Sequence, residues 1–125
     1  MEQNATDERT STADDLAIER GELRDAELQG REYGGVNVSA IFVDAGPGEG
    51  PRLHRHAYEE IFIMLEGKSR FTVGNHTVEA RSGQIIVVRP GVAHKFVNAG
   101  EVRLRQIDIH PSGTFITERL ENSNP

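Results

Sequence analysis

The chain of 125 residues contains no cysteine. Disulfide frameworks, thiolate zinc sites, iron–sulfur clusters and cysteine nucleophiles are therefore excluded. No apolar run approaches the ~20 residues of a membrane span. Basic residues are also in short supply, with 14 Lys and Arg against 20 Asp and Glu and a net charge of −6. The imbalance is local: residues 1–32 hold ten acidic and four basic side chains, which leaves ten of each in residues 33–125. No basic face remains to neutralise phosphates, so neither DNA nor RNA is expected as a partner. No basic amphipathic stretch suits anionic lipid either. The opening residues MEQNATDERTSTADD are polar and acidic, unlike a secretory signal. The expectation is a soluble, cytoplasmic protein of one domain, long enough to bury roughly two-thirds of its unfolded surface.

What is present reads as β-structure. Residues 1–13 have no apolar periodicity and read as a disordered acidic tail. From Leu16 onward Leu16, Ile18, Leu23 and Leu28 alternate with charges, and glycines at 21 and 30 favour short strands over one helix. Val36–Val43 is β-branched and aromatic. Gly46–Pro51 is a loop, and Glu60–Leu65 is a strand ending in the turn Glu66-Gly67. Arg70–Val73 and Thr77–Ala80 flank Gly74-Asn75, a hairpin signal in the reverse of the favoured Asn-Gly order. Ile85–Val88 is a continuous apolar run, as expected of a strand covered on both faces. Lys95–Val97 and Val102–Ile109 follow, and residues 119–125 read as a C-terminal tail. Eight to ten short strands with glycine turns predict an all-β barrel or sandwich over residues 14–118.

Five histidines are present: His54, His56, His76, His94 and His110. His54 and His56 are two apart, so in a strand they share a face. Glu60 has the same parity and joins that face if no bulge intervenes. Two imidazoles and a carboxylate make half of an octahedral site for Fe, Mn, Co, Ni, Cu or Zn, and suit an all-oxygen ion such as Ca less well. Spacing alone leaves open which remote histidine completes it. His110, at a strand end before Pro111, and His76, in a hairpin turn, read as surface residues.

Two glycine-punctuated segments stand out: Gly48-x5-His54-x-His56-x3-Glu60-x6-Gly67 and Gly83-x7-Gly91-x2-His94-x3-Asn98. They resemble the two motifs of the cupin family. The first matches at every signature position. The second matches at both glycines, the histidine and the asparagine, but has Arg89 where the family usually carries proline, with Pro90 one position later. The resemblance implies a single-domain jelly-roll β-barrel holding a divalent transition metal (Fe, Mn, Zn, Ni or Cu). Its ligands would be His54, His56, Glu60 and His94. Cupins that act on free thiols generally lack this glutamate, so the resemblance argues against that activity.

Further candidates surround these four. Parity places Arg52 on the inward side, either clamping a substrate carboxylate or pairing at the rim. Tyr58 falls between the ligands as a hydrogen-bond donor or a packing residue. Phe62, Met64 and Phe96 continue the ligand faces as cavity lining or as plain core. One face of the last long strand carries Gln106, Asp108 and His110 and the other Ile107 and Ile109. The polar set contacts substrate if it faces inward, although the plainer reading puts Ile107 and Ile109 in the core. Two coordination positions left open by four protein ligands suit a metal-dependent oxidoreductase, dioxygenase-like, on a small organic substrate. The alternatives are a non-redox decarboxylase, lyase or isomerase, and a non-catalytic small-molecule-binding barrel. The non-redox reading needs a proton donor or acceptor beside the metal, for which Asp108 and Tyr58 are the candidates. A homodimer covering an edge strand is expected.

Overall fold

The computed structural model describes residues 18–121. Ten strands form two antiparallel sheets of five: β1 (Glu27–Gln29), β2 (Ser39–Ala45), β3 (His54–Arg55), β4 (Glu60–Glu66), β5 (Lys68–Val73), β6 (His76–Arg81), β7 (Ile85–Val88), β8 (His94–Asn98), β9 (Leu104–His110) and β10 (Glu118–Arg119). One sheet runs β1-β2-β9-β4-β7 and the other β10-β3-β8-β5-β6. The architecture is the expected all-β jelly roll. No helix among the described residues is long and apolar enough to cross a membrane.

Alternation along the strands sets the core. In β4 the buried residues are Glu60, Phe62 and Met64, while Ile61 and Ile63 turn outward and are only partly buried. Phe62, Met64, Phe71, Val88, Phe96 and Leu104 make the apolar cluster. Its phenylalanines meet edge to face or tilted, Phe62 with Phe71 at 4.8 Å and Phe71 with Phe96 at 5.6 Å between ring centres, an arrangement favourable beyond area burial alone. Burying each of these side chains contributes on the order of 1.5–3 kcal/mol. Along β4 and β8 the inward residue changes from Glu60 and His94 at the start to Phe62 and Phe96 two positions on. The apolar cluster thus forms the floor beneath a polar site.

One element matches the sequence reading closely and three differ from it. The β5–β6 hairpin closes through Gly74-Asn75 with Val73 opposite His76. Only the first loop residue has positive φ, at 58°, which is the type II′ pattern, and that explains the reversed Gly-Asn order. Residues 18–26 form no strand beyond one isolated bridge between Arg24 and Glu27, and Ile18 and Leu23 are exposed. Strand β7 is an edge paired only with β4, so Ile85 and Val87 are exposed and the strand is covered on one face only. The C-terminal segment is ordered further than expected: β10 pairs with β3, and Leu120 N–H donates to Leu53 O at 2.9 Å. The expected tail over 1–13 lies outside the described residues.

Candidate metal centre

His54 sits in β3 directly opposite His94 in β8, which brings their rings to 4.4 Å between centres. His56 follows just past β3. Glu60 then opens β4, which lies in the facing sheet. The four side chains therefore converge from two opposed sheets and not from one ribbon, because the chain crosses between sheets over residues 57–59. Parity counting does not survive such a crossing. One ligand atom from each of His54, His56, Glu60 and His94 lies within 4.8 Å of the others.

Hydrogen bonding orients the three imidazoles alike. Nδ1 of His54 donates to Arg52 O at 2.6 Å, Nδ1 of His56 to Ile116 O at 2.9 Å, and Nδ1 of His94 to Val92 O at 2.8 Å. A carbonyl oxygen only accepts, so each ring carries a proton on Nδ1 and turns Nε2 toward the centre, where the neutral ring presents a lone pair. The loop before His94 secures its share. Val92 N–H reaches Arg89 O at 3.3 Å, with Pro90 and a Gly91 of φ 79° between them. These are the features of a type II turn, which takes proline first and glycine second. The shift of proline to position 90 thus keeps a defined turn. Gly91 N–H also donates to His56 O at 2.7 Å, tying the two histidine loops together.

The donor set fits a metal ion. Glu60 Oε1 lies 3.0 Å from Nε2 of both His56 and His94. Metal–ligand bonds of about 2.1 Å at right angles separate neighbouring ligand atoms by roughly 3.0 Å. His56 Nε2 is buried and without a hydrogen-bond partner. Lone pairs facing a carboxylate call for a cation between them, either a proton or a metal. Burial pushes the Glu60 carboxyl up, but its contacts with His110, His56 and His94 outweigh that and hold it well below the usual carboxylate range. Burial lowers His56, yet Glu60 and the Ile116 carbonyl bring it above its ordinary value. Burial, reinforced by the two neighbouring histidines, leaves His54 below its ordinary value.

A cavity of about 600 Å³ opens onto this cluster. Ile41, Val43, Phe96 and Phe115 give it apolar walls, and the exposed Arg52 and Arg119 add positive charge. Asp108 also lines it, almost wholly buried, with Oδ1 accepting from Gln106 Nε2 at 2.7 Å. Burial, with the negative Glu60 nearby, raises the Asp108 carboxyl well above its ordinary value. The two carboxyl groups of the cavity are thus shifted in opposite directions, Glu60 toward its ionised form and Asp108 toward its protonated form.

Among the other residues singled out by sequence, Gln106 is fully buried and touches Asp108. Phe62 and Met64 pack in the apolar cluster and do not line the cavity. Tyr58 lies outside the cavity wall, its hydroxyl 2.7 Å from His110 Nδ1. On β9 the polar residues face inward and Ile107 and Ile109 face outward, the reverse of the plainer reading. His110 is accordingly buried beside Glu60, whereas His76 is exposed as expected. Sequence reasoning missed Phe115, Thr117 and Arg119, which line the cavity from an irregular segment and a two-residue strand that carry no periodic signal.

Two opposed antiparallel sheets around a largely buried three-histidine, one-glutamate cluster that could hold a metal ion define a small β-barrel. The model of the cupin domain matches residues 41–110, and the chain belongs to the cupin family. It is 32% identical over 88 residues to an uncharacterized protein of Streptomyces coelicolor, covering 70% of this chain and 82% of that one. A cupin-like protein of Thermotoga maritima superposes with a TM-score of 0.67 at 24% identity, over 75% of this chain and 72% of that chain. Bacillus subtilis oxalate decarboxylase, a protein with Mn(II) centres, superposes with a TM-score of 0.70 at 21% identity, over 75% of this chain but 27% of that one. At such identities the two superpositions bear on the fold alone.

Proposed function

We propose that this cupin holds a divalent transition metal through His54, His56, Glu60 and His94 and catalyses a non-redox reaction of a small organic anion, with Asp108 as proton donor. The observation that carries this reading is the buried Asp108 carboxyl in the wall of the same cavity as the cluster, where burial and the nearby Glu60 favour its protonated form. When bound, the metal supplies Lewis-acid polarisation of a substrate oxygen. Arg52 and Arg119 attract the substrate's negative group. Ile41, Val43, Phe96 and Phe115 exclude water from its remainder. Gln106 fixes one oxygen of Asp108 and leaves the other to carry the proton. A mixed lining with few convergent polar groups is typical of small-molecule sites.

The test is anaerobic turnover. Protein loaded with Mn(II) or Zn(II) is screened against small carboxylic acids with oxygen removed. Turnover that persists there, and that Asp108→Asn abolishes while metal content is unchanged, supports the assignment. Reaction only with Fe(II) and dioxygen would instead favour the dioxygenase reading, which the two open coordination positions of a four-ligand site support. Ligand-induced stabilisation with no product would point to a binding barrel. The exposed Leu65, Ile85 and Val87 along the uncovered β4–β7 edge support a homodimer through that edge. Light scattering that finds only monomer would exclude the dimer.

A further inference from the structure

His110 differs from the other three imidazoles of the site in the direction of its hydrogen bonding. The Nδ1 atoms of His54, His56 and His94 all face carbonyl oxygens. The Nδ1 of His110 faces the hydroxyl of Tyr58 at 2.7 Å. That hydroxyl already accepts from Ile116 N–H at 3.1 Å. With that lone pair used, the hydroxyl proton is free to point at His110 Nδ1, an arrangement that puts a lone pair on Nδ1 and the ring proton on Nε2. Nε2 lies 3.0 Å from Glu60 Oε2, within ion-pair distance but too poorly aligned to count as a hydrogen bond, and has no other partner among the described residues. The other carboxylate oxygen, Oε1, is the one facing His56 and His94. His110 is also not among the four side chains whose ligand atoms cluster within 4.8 Å.

We infer that Tyr58 and His110 are positioning residues: Tyr58 sets the His110 tautomer, and His110 holds Glu60 Oε2 so that Oε1 alone is presented to the metal. The inference rests on the proposed metal reading and names the device that aims its carboxylate. The same brace reaches a second ligand. The Tyr58 ring stacks on His56 at 5.0 Å with 7° between planes. The backbone of Ile116 bonds both, its N–H to Tyr58 and its C=O from His56 Nδ1. Phe115 meets the His110 ring edge to face at 4.9 Å and restricts its rotation. Burial raises the Tyr58 hydroxyl above its ordinary value and keeps it a donor. The segment carrying Phe115 and Ile116 thereby locks the orientation of two ligands from opposite sheets. Partners of this kind typically change metal affinity by about 10–100-fold when removed.

Two measurements on the full chain test the brace. The first is long-range ¹⁵N–¹H correlation of the histidine rings in metal-free protein. It should find the proton of His110 on Nε2 and those of His54, His56 and His94 on Nδ1. A His110 proton on Nδ1 would overturn the inference. The second is Co(II) titration followed by visible absorption. Tyr58→Phe keeps the ring stack and should weaken Co(II) binding by about tenfold and shift the ligand-field bands. His110→Phe should weaken it by at least as much, and His110→Gln, which keeps a donor near the Nε2 position, should restore affinity to within about threefold of the parent. Phe variants that bind Co(II) like the parent, with unchanged bands, would overturn the inference. If His110→Phe does not fold, Tyr58→Phe decides the point alone. A parent that takes up no metal would defeat the metal reading, and the tautomer assignment would still decide the brace.

Discussion

Replacing Glu60 with Gln separates a site built for a metal from a structural ion-pair network. Glu60 is 3% exposed, with 3.0 Å contacts to three imidazoles. If those contacts were a buried ion-pair network, removing the charge would cost about 3–5 kcal/mol whether or not metal is present. If the imidazoles present lone pairs to a metal, the chelator-treated protein changes by less than about 1 kcal/mol at pH 8, because the Gln amide can donate to an Nε2 that the carboxylate cannot serve. The loss then appears only with metal. At a metal concentration 100 times its Kd the parent gains about 2.7 kcal/mol. For a domain of about 100 residues that is a rise in Tm of roughly 10–20 °C. A ligand loss that weakens binding about 100-fold leaves about 0.4 kcal/mol at the same concentration, a rise of roughly 2–3 °C. Thermal melts of parent and variant, with chelator and with Mn(II), Co(II) or Zn(II), read both quantities. An equal metal-induced rise in parent and variant would refute the reasoning, as would a loss of 3–5 kcal/mol that metal does not alter.

Three other outcomes follow from the same geometry. Asp108 binds its proton more tightly folded than unfolded, so it draws stability out of the fold as pH rises from its ordinary value of 3.8. Asp108→Asn should therefore raise the Tm of metal-free protein at pH 7–8 and flatten its decline with pH; an unchanged profile would mean that the carboxyl is ionised in place. Metal affinity should climb as pH rises through the raised range of His56, because its proton competes with the metal and stabilises the metal-free fold only below that range; isothermal titration at pH 6 and pH 8 checks this. Arg52→Ala, at an exposed position, should leave Tm unchanged but weaken binding of an anionic substrate or inhibitor by roughly 10–100-fold, the worth of a charge-assisted hydrogen bond; unaltered affinity would remove Arg52 from substrate binding.

Much of this fold is legible in the sequence because alternation and turn chemistry are local. The β4–β5–β6 succession follows from apolar patterning interrupted at Gly67 and Gly74. Spacing offered His54, His56 and Glu60, and the resemblance of the two motifs to the cupin family added His94; the fold brings the four together. What was not legible depends on events between sheets. Parity predicted the relation of His56 to Glu60 within one ribbon, yet His56 follows a strand of one sheet and Glu60 opens a strand of the other. Parity on β9 offered two faces, and only the pairing of β9 between β2 and β4 puts Gln106, Asp108 and His110 inside. His110 looked peripheral because its partners, Glu60 and Tyr58, are 50 and 52 residues away in the chain. Phe115, Thr117 and Arg119 reach the cavity from an irregular segment and a strand of two residues, too short for any period to register.

Under the proposed function His54, His56, Glu60 and His94 hold one divalent transition metal. Elemental analysis of the purified chain beside His54→Ala and His94→Ala tests it most directly, before and after titration with Mn, Fe, Co, Ni, Cu and Zn. The expected result is close to one metal ion per chain in the parent and loss from both variants. No metal in any preparation, with none taken up on titration, would contradict it.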